Sequence, residues 1–382
     1  MTRVNVNGAV IRWAVERSGR ASAVRNKFPQ LGAWEEGGVR PTLHQLEKFA
    51  KETATPLGYL FLSAPPEERL PIPDFRTLAD QPVRRISPDL LETVYLMQRR
   101  QEWLRDYLEQ QGEERLPFVA SARLEDPPEA VAARMREVLG LSGQWAASQR
   151  TWTHALVELR HKIEESGIVV VINGIVGNNT HRKLDPREFR GFVLVDEYAP
   201  LIFVNGADGK AAQMFTLAHE LAHVWLGKSA AFDLPELTPS LEPSEQACNR
   251  IAAEFLVPKK ELFRVWSLAQ EDPNPFQRLA REFKVSSLVA ARRARDLGLV
   301  TDAEFLNFYR QYENEEQQQK KTQPGGNFYA SQNLRLSRRF ADAVVHAVRE
   351  DKLSYGEAYR LTGLYGKAFE RYAERLENGA AA

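Results

Sequence analysis

The chain has 382 residues, of which 43% are hydrophobic and 27% charged, and its 51 Lys and Arg balance 51 Asp and Glu. This length predicts two or three domains. Because the formal net charge is zero, the overall charge favours neither an acidic nor a basic partner, and any surface that binds nucleic acid must be local. The single cysteine, Cys248, excludes an intrachain disulfide, and no apolar run approaches the roughly 20 residues needed to cross a bilayer. We therefore expect a cytoplasmic protein with no membrane contact.

The first 62 residues are predicted to form short helices. AVIRWAVERSG ends at Gly19, and TLHQLEKFAKET carries apolar residues at helical spacing. The segment SAPPEERLPIPDFRT that follows contains four prolines, which indicates an extended linker. We expect residues 1–75 to form one domain that includes this proline-rich linker.

The central part of the chain is predicted to alternate helices with a few short strands, and the fold class is α+β, mostly helical. The pattern predicts helices over 87–112, 127–140, 148–166, 209–227 and 244–257, and strands over 167–172, 189–196 and 200–205. The turn EYA between the last two strands predicts a hairpin. The polar segment ENEEQQQKKTQPGGN, residues 313–327, is interpreted as a linker. We expect a central domain over 76–320 and a helical C-terminal domain over 321–382.

One apolar helix carries a candidate metal site. FTLAHELAHVWLG contains His219, Glu220 and His223 in the pattern H-E-x-x-H. Positions i and i+4 share a helix face, so the two imidazoles are spaced to bind one zinc ion, and Glu220 can serve as general base toward water. The alternative is two buried histidines with backbone partners. A chance H-E-x-x-H arises in on the order of one per cent of chains this long, which favours the metal interpretation.

The helix over 244–257 is predicted to supply a third ligand. Its apolar face centres on Cys248, and at roughly 100° per residue Glu245 falls about 60° from that centre. Glu254 falls about 240° round, toward solvent, so Glu245 is the predicted ligand. Asn249 lies on the same side as Glu245, and is either a hydrogen-bond partner of a ligand or an ordinary surface amide. Cys248 is interpreted as a small buried residue.

Two segments together resemble the ImmA/IrrE family of zinc metallopeptidases. They are FRGFVLVDEYAPLIFVNGADGKAAQMFTLAHELAHVWLG and EQACNRIAAEFLVP, and the resemblance extends over about residues 150–300. It implies a small, mixed, gluzincin-like fold with Zn²⁺ on His219, His223 and Glu245, and with Glu220 as the catalytic carboxylate. It also implies an intracellular protein substrate, such as a repressor cleaved in a stress response or in mobile-element induction.

The N-terminal segment resembles the lambda-repressor-like helix-turn-helix, on the strength of WAVERSG and LGAWEEGGVRPTLHQLEKFAKETATPLGYLFL. This order of modules is similar to a helix-turn-helix-fused subgroup, some of whose members resemble antitoxins or regulators encoded beside a toxin. Residues 1–62 hold nine Lys and Arg against five Glu, which permits contact with DNA phosphates. The would-be recognition helix carries Glu35 and Glu36, and no base-reading Arg, Gln or Asn follows Gln30. DNA binding and a protein-docking or cleft-covering role both stay open.

The sequence thus predicts a zinc-dependent endopeptidase that cleaves a regulatory protein such as a repressor, or acts on a neighbouring toxin or regulator. The alternative is a DNA- or protein-binding regulator or antitoxin whose metal site is structural or idle. Three side chains are candidates by residue type for stabilising an oxyanion, namely Tyr198, His181 and Lys210. Three further arginines are interpreted as a solvated helix face rather than a DNA-binding surface, namely Arg292, Arg293 and Arg295.

Overall fold

A computed structural model describes residues 2–72, 86–232, 242–319 and 328–378. Contacts divide these residues into two compact units, the first containing 2–71 and 86–95 and the second containing the other described residues. The three-domain division expected from the sequence stays a prediction. None of the described helices is both long enough and apolar enough to cross a membrane.

The first unit is a small helical bundle. Its elements are α1 (Gly8–Arg17), α2 (Ala21–Lys27), α3 (Leu31–Glu35), α4 (Leu43–Glu52) and a 3₁₀ helix (Leu57–Phe61). Thr42 begins α4 with a capping box shared with Gln45, which satisfies backbone N–H groups that would otherwise lack partners. Trp34 and Phe49 meet edge to face in its core. Residues 63–72 contain no helix or strand, as the prolines predict, and residues 73–77 lie outside the described residues.

The remaining helices begin with α5, within which the division between the two units falls. They are α5 (Pro88–Gln110), α6 (Pro128–Val138), α7 (Trp152–Glu165), α8 (Lys210–Leu226), α9 (Pro243–Leu256), α10 (Lys259–Ala269), α11 (Pro275–Phe283), α12 (Ser287–Asp296), α13 (Asp302–Gln319), α14 (Phe328–Leu336), α15 (Arg338–Arg349), α16 (Tyr355–Thr362) and α17 (Lys367–Glu377). Helix α13 extends to Gln319, into the segment 313–327 interpreted as a linker, because Glu and Gln are good helix formers. Residues 320–327 lie outside the described residues.

The second unit contains a four-stranded mixed sheet and a separate two-stranded ribbon. The sheet strands, in spatial order, are β1 (Val169–Asn173), β5 (Leu201–Asn205), β4 (Gly191–Leu194) and β6 (Ala230–Phe232). β1 is parallel to β5, while β4 is antiparallel to both β5 and β6, so the predicted hairpin is confirmed. The ribbon pairs β2 (Ile175–Val176) with β3 (Asn179–Lys183). The described residues are therefore α+β and mostly helical, with a small mixed sheet.

The core of the second unit forms around α8, which contacts β4 and β5 as well as α9. From Thr216 to Leu226 every residue of α8 is buried, because the helix is covered by the sheet and by neighbouring helices. The helix ends at Gly227, whose left-handed backbone (φ +69°) suits a glycine at this cap position. The H-E-x-x-H motif therefore lies on a buried central helix rather than on a loop.

Two buried charges contact the ends of the C-terminal helices. Arg100 of α5 donates from Nε to the carbonyl of Leu361 and from Nη1 to the carbonyl of Arg335, each at 2.9 Å. These carbonyls lie in the last turns of α16 and α14, where the helix dipole favours a cation, although burial lowers the pKa of Arg100 to about 9. Glu164 of α7 accepts hydrogen bonds from the hydroxyl of Ser337 and from the backbone N–H of Arg338, at the start of α15.

Candidate metal centre

Three side chains that could hold a metal converge between α8 and α9. His219 and His223 lie one turn apart on α8, and Glu245 lies in the first turn of α9. The Nε2 atoms of the two histidines are 3.1 Å apart. Glu245 places Oε2 3.1 Å from Nε2 of His219 and Oε1 2.9 Å from Nε2 of His223. Among the described residues this is the group of His, Cys, Asp or Glu side chains that could hold a metal ion.

The donor set fits a zinc ion by geometry and chemistry. Tetrahedral zinc with nitrogen and oxygen ligands at its usual bond lengths separates those ligand atoms by about 3.3–3.5 Å. The separations of 2.9–3.1 Å seen here are slightly shorter, so a small outward shift accommodates the ion. Both imidazoles and the carboxylate are almost fully buried, and buried polar groups of this kind are stable when they are paired or bind a metal.

Asn249 holds one of the histidine ligands in place. Its Oδ1 lies 3.1 Å from Nδ1 of His219, so Nδ1 donates its proton to the amide oxygen, and Nε2 is the nitrogen that would bind a metal. This contact confirms the first of the two interpretations of Asn249 drawn from the sequence. Cys248, one residue earlier on α9, is a buried free thiol, as expected.

Glu220 lies beside the cluster without belonging to the ligand set. Its side chain is fully buried, and neither carboxylate oxygen has a hydrogen-bond partner among the described residues. Burial raises the pKa of Glu220 well above its ordinary value, and the nearby charge of Glu245 raises it further. A buried carboxylate without hydrogen-bond partners lowers the stability of the folded protein. Its presence therefore indicates that Glu220 binds a proton or contacts a bound ligand when the protein is active.

Electrostatics within the cluster favour an anionic Glu245. Burial by itself would raise the pKa of Glu245, but hydrogen bonds and charge from His219 and His223 hold that pKa well below its ordinary range. Burial lowers the pKa of His219 and outweighs the hydrogen bond and the charge of Glu245, which raise it. A charged carboxylate and a neutral imidazole are the protonation states that bind a divalent metal.

Comparison with known families agrees with this geometry. Residues 163–295 match the IrrE N-terminal-like domain, the Peptidase M78 family model. The match covers about a third of the chain and contains β1 to β6, α8, α9, the three residues of the cluster and Glu220. It supports the ImmA/IrrE family and indicates a metallopeptidase-like segment. Residues 336–375 match a domain of unknown function (DUF8813). No curated protein and no solved structure matches the chain.

One prediction about α9 in the M78 segment is wrong. Glu254 does not face solvent: it is buried, forms an ion pair with Arg293, and accepts a hydrogen bond from the backbone N–H of Lys259 at 3.2 Å. A helical wheel with a single apolar face misplaces Glu254 because α9 contacts α6 as well as α8. Arg293 is accordingly a buried partner of Glu254 and not part of a solvated helix face.

The oxyanion candidates lie on other elements or far along α8. Tyr198 lies between β4 and β5, where its hydroxyl accepts a hydrogen bond from Nε of Arg115 at 3.2 Å. His181 is exposed on β3, and Lys210 begins α8, about 15 Å of helix before Glu220. No described contact joins any of the three to the metal ligands, so the role stays unassigned.

Sequence reasoning overlooked Gly191, the first residue of β4. A methyl group at this position would lie 3.1 Å from Oε1 of Glu220 and 2.6 Å from Cγ2 of Thr216. A glycine inside a strand often marks a close approach of another group to the backbone, and that was the signal available in FRGFVLVD.

In the first unit, acidic side chains engage several of the basic residues. Glu68 pairs with Arg17, Glu35 pairs with Arg25 at 2.9 Å, and a third ion pair joins Lys27 to Glu52. Charges engaged in this way are less available to phosphates than the excess of basic residues suggests.

Proposed function

We propose that the protein is a zinc-dependent endopeptidase, with zinc held by His219, His223 and Glu245. The observation that carries the proposal is the position of Glu220, a buried carboxylate whose two oxygens have no hydrogen-bond partner in the described part of the chain, beside three buried side chains that could hold a metal. A structural metal site has no use for such a carboxylate, whereas peptide hydrolysis needs a base beside the metal.

The chain's own residues have separate parts in the reaction. Zinc bound in this cluster would supply Lewis-acid chemistry, polarising a peptide carbonyl and lowering the pKa of water. Glu220 takes a proton from the attacking water and passes it to the leaving amine. Asn249 fixes the tautomer and ring orientation of His219.

The proposed substrate is another intracellular protein, such as a repressor, or a toxin or regulator encoded beside this gene, in a stress response or in mobile-element or toxin–antitoxin control. The match of residues 163–295 to the IrrE N-terminal-like domain supports a metallopeptidase-like function. The class of substrate is what the resemblance of the sequence to the ImmA/IrrE family implies. We place the protein in the cytoplasm. The first unit, proposed as helix-turn-helix-like, would bring the peptidase to its partner, with DNA contact through residues 1–62 as a further possibility.

One observation favours a second function, in which the metal is structural and the protein acts as a regulator or antitoxin by binding. All three proposed ligands and Glu220 are at most 3% exposed, so very little of their surface is open to a peptide. A closed metal site suits a structural ion, and catalytic sites keep a coordination position open.

Replacing Glu220 by Gln separates the two functions. Glu220→Gln keeps the size of the side chain and removes the base, so metal content and fold should persist while peptide cleavage falls by about 10²–10⁴-fold. The measurement pairs elemental analysis with mass spectrometry of a peptide library incubated with the zinc-loaded protein. His219→Ala is the matched variant, because it should lose both metal and cleavage.

A cellular assay decides whether cleavage is the biological output. The phenotype controlled by the gene neighbourhood is scored for wild type, Glu220→Gln and His219→Ala. Loss of the phenotype in both variants, with zinc retained in Glu220→Gln, supports proteolysis. A full phenotype in Glu220→Gln together with its loss in His219→Ala shows that the metal is structural and refutes the endopeptidase.

A further inference from the structure

Gly191 lies in the sheet at the point where α8 comes closest to it. It pairs with Val204 of β5 on one side and with Phe232 of β6 on the other, so its backbone is held by both neighbouring strands. Its φ lies outside the left-handed region, so a side chain is compatible with its backbone conformation. The reason for glycine at this position is therefore space and not conformation.

Three atoms take up the space that a side chain would need. A methyl carbon on Gly191 would lie 2.6 Å from Cγ2 of Thr216, 2.8 Å from the carbonyl oxygen of Phe203 and 3.1 Å from Oε1 of Glu220. Thr216 and Glu220 are four residues apart on α8 and share the helix face turned toward the strand. The Glu220 carboxylate thus lies directly against the backbone of Gly191.

We propose that Gly191 is a positioning residue, whose missing side chain lets the Glu220 carboxylate take its place beside the metal ligands. This inference rests on the proposed endopeptidase function. Glu220 has no hydrogen-bond partner among the described residues, so packing rather than hydrogen bonding determines where its oxygens lie. A displacement of about 1 Å in a catalytic group costs on the order of 10²-fold in rate, so a single methyl group is a sufficient perturbation.

Three variants separate positioning from packing. Gly191→Ala adds the methyl group, and Gly191→Ala with Thr216→Ser removes the closest clash while it keeps the contact with Glu220. Gly174→Ala is the matched control, because a methyl carbon there would lie 2.8 Å from the backbone nitrogen of Ala207 and its nearest neighbours are backbone atoms. Each variant is characterised by zinc content, thermal midpoint, kcat and KM on the best-cleaved library peptide, and by a crystal structure.

We expect Gly191→Ala to bind one zinc per chain, to melt at a lower temperature, and to lose about 10²-fold in kcat with little change in KM. Thr216→Ser in that background should restore part of the thermal midpoint but not kcat. Gly174→Ala should lower the midpoint and keep kcat.

Recovery of kcat together with stability in the double variant would show that Gly191 only packs against Thr216, and would overturn the inference. The crystal structures give a readout that needs no activity, since the carboxylate of Glu220 should be displaced in both Gly191 variants and unmoved in Gly174→Ala. An unmoved carboxylate refutes the inference. Absence of cleavage by the zinc-loaded wild type refutes the proposed function instead. In that case the displacement of the Glu220 carboxylate in the crystal structures still tests whether Gly191 positions it.

Discussion

The two glutamates of α9 should respond in opposite ways to the same substitution. Glu245→Ala removes a proposed metal ligand, whereas Glu254→Ala removes the partner of a buried arginine. Removing one partner of a buried ion pair costs about 3–5 kcal/mol, because the remaining charge is left in a poorly solvated place. Arg293 keeps one acceptor in Glu254→Ala, since its Nε still donates to the carbonyl of Val257, so we expect the lower end of that range.

Glu254 also accepts the backbone N–H of Lys259 at the start of α10, and that hydrogen bond is lost in the same variant. Urea denaturation of the metal-free proteins measures the stability, because bound metal would otherwise stabilise only the variants that still bind it. Elemental analysis measures the zinc content. We expect Glu254→Ala to be destabilised by about 3 kcal/mol and to keep its zinc, and Glu245→Ala to lose zinc.

Glu254→Gln is the control, because an amide keeps the hydrogen-bond acceptor and the volume. It should be destabilised less than Glu254→Ala. The assignment of the ligand is refuted if Glu254→Ala loses zinc while Glu245→Ala retains it. The account of the buried pair is refuted if Glu254→Ala unfolds at the wild-type urea concentration.

Three further predictions follow from the buried groups and the first unit. Burial raises the pKa of Glu164, so its stabilising contribution is present below the unfolded pKa and is lost as the pH rises through the folded pKa. Glu164→Gln, which keeps an acceptor for Ser337, should therefore gain stability relative to wild type as the pH rises from about 5 to about 8 in urea titrations, and a pH-independent difference would contradict this. Asn249→Ala should weaken zinc affinity about 10–100-fold in competition with a chelator, and an unchanged affinity would show that another group holds His219. The full-length protein should bind a labelled DNA duplex weakly or not at all at physiological salt. Tight, sequence-selective and salt-sensitive binding would show that the ion pairs of the first unit break and that its basic side chains contact phosphates.

The elements that were predictable from the sequence are those with a strong period and clear ends. The helix bearing His219 stops at Gly227, and β4 and β5 follow from two β-branched runs joined by a short turn. The position of Glu245 beside the two histidines was predictable because the angle between residues on a helix is fixed.

Other features depend on contacts that no local pattern records. β3 reads NTHRK, which has no apolar alternation, so its pairing with β2 was not predicted. Glu254 was misplaced because its partner Arg293 is far along the chain and reaches it from α12. Gly191 was overlooked because its importance depends on the missing side chain. Only the structure shows that a methyl carbon there would lie close to Oε1 of Glu220.

The buried guanidinium of Arg100 limits which truncations and which exchanges of C-terminal segments this chain can tolerate. It connects carbonyls of Arg335 and Leu361, which are more than two hundred residues further along the sequence, and the second of these lies within the segment that matches DUF8813. A shortened gene product that ends before α14 would expose a cation that has lost both acceptors, and a heterologous C-terminal segment would have to present two helix ends at the same place. Shuffling of this segment between genes therefore requires a compatible α5, so the two stretches are expected to be inherited together.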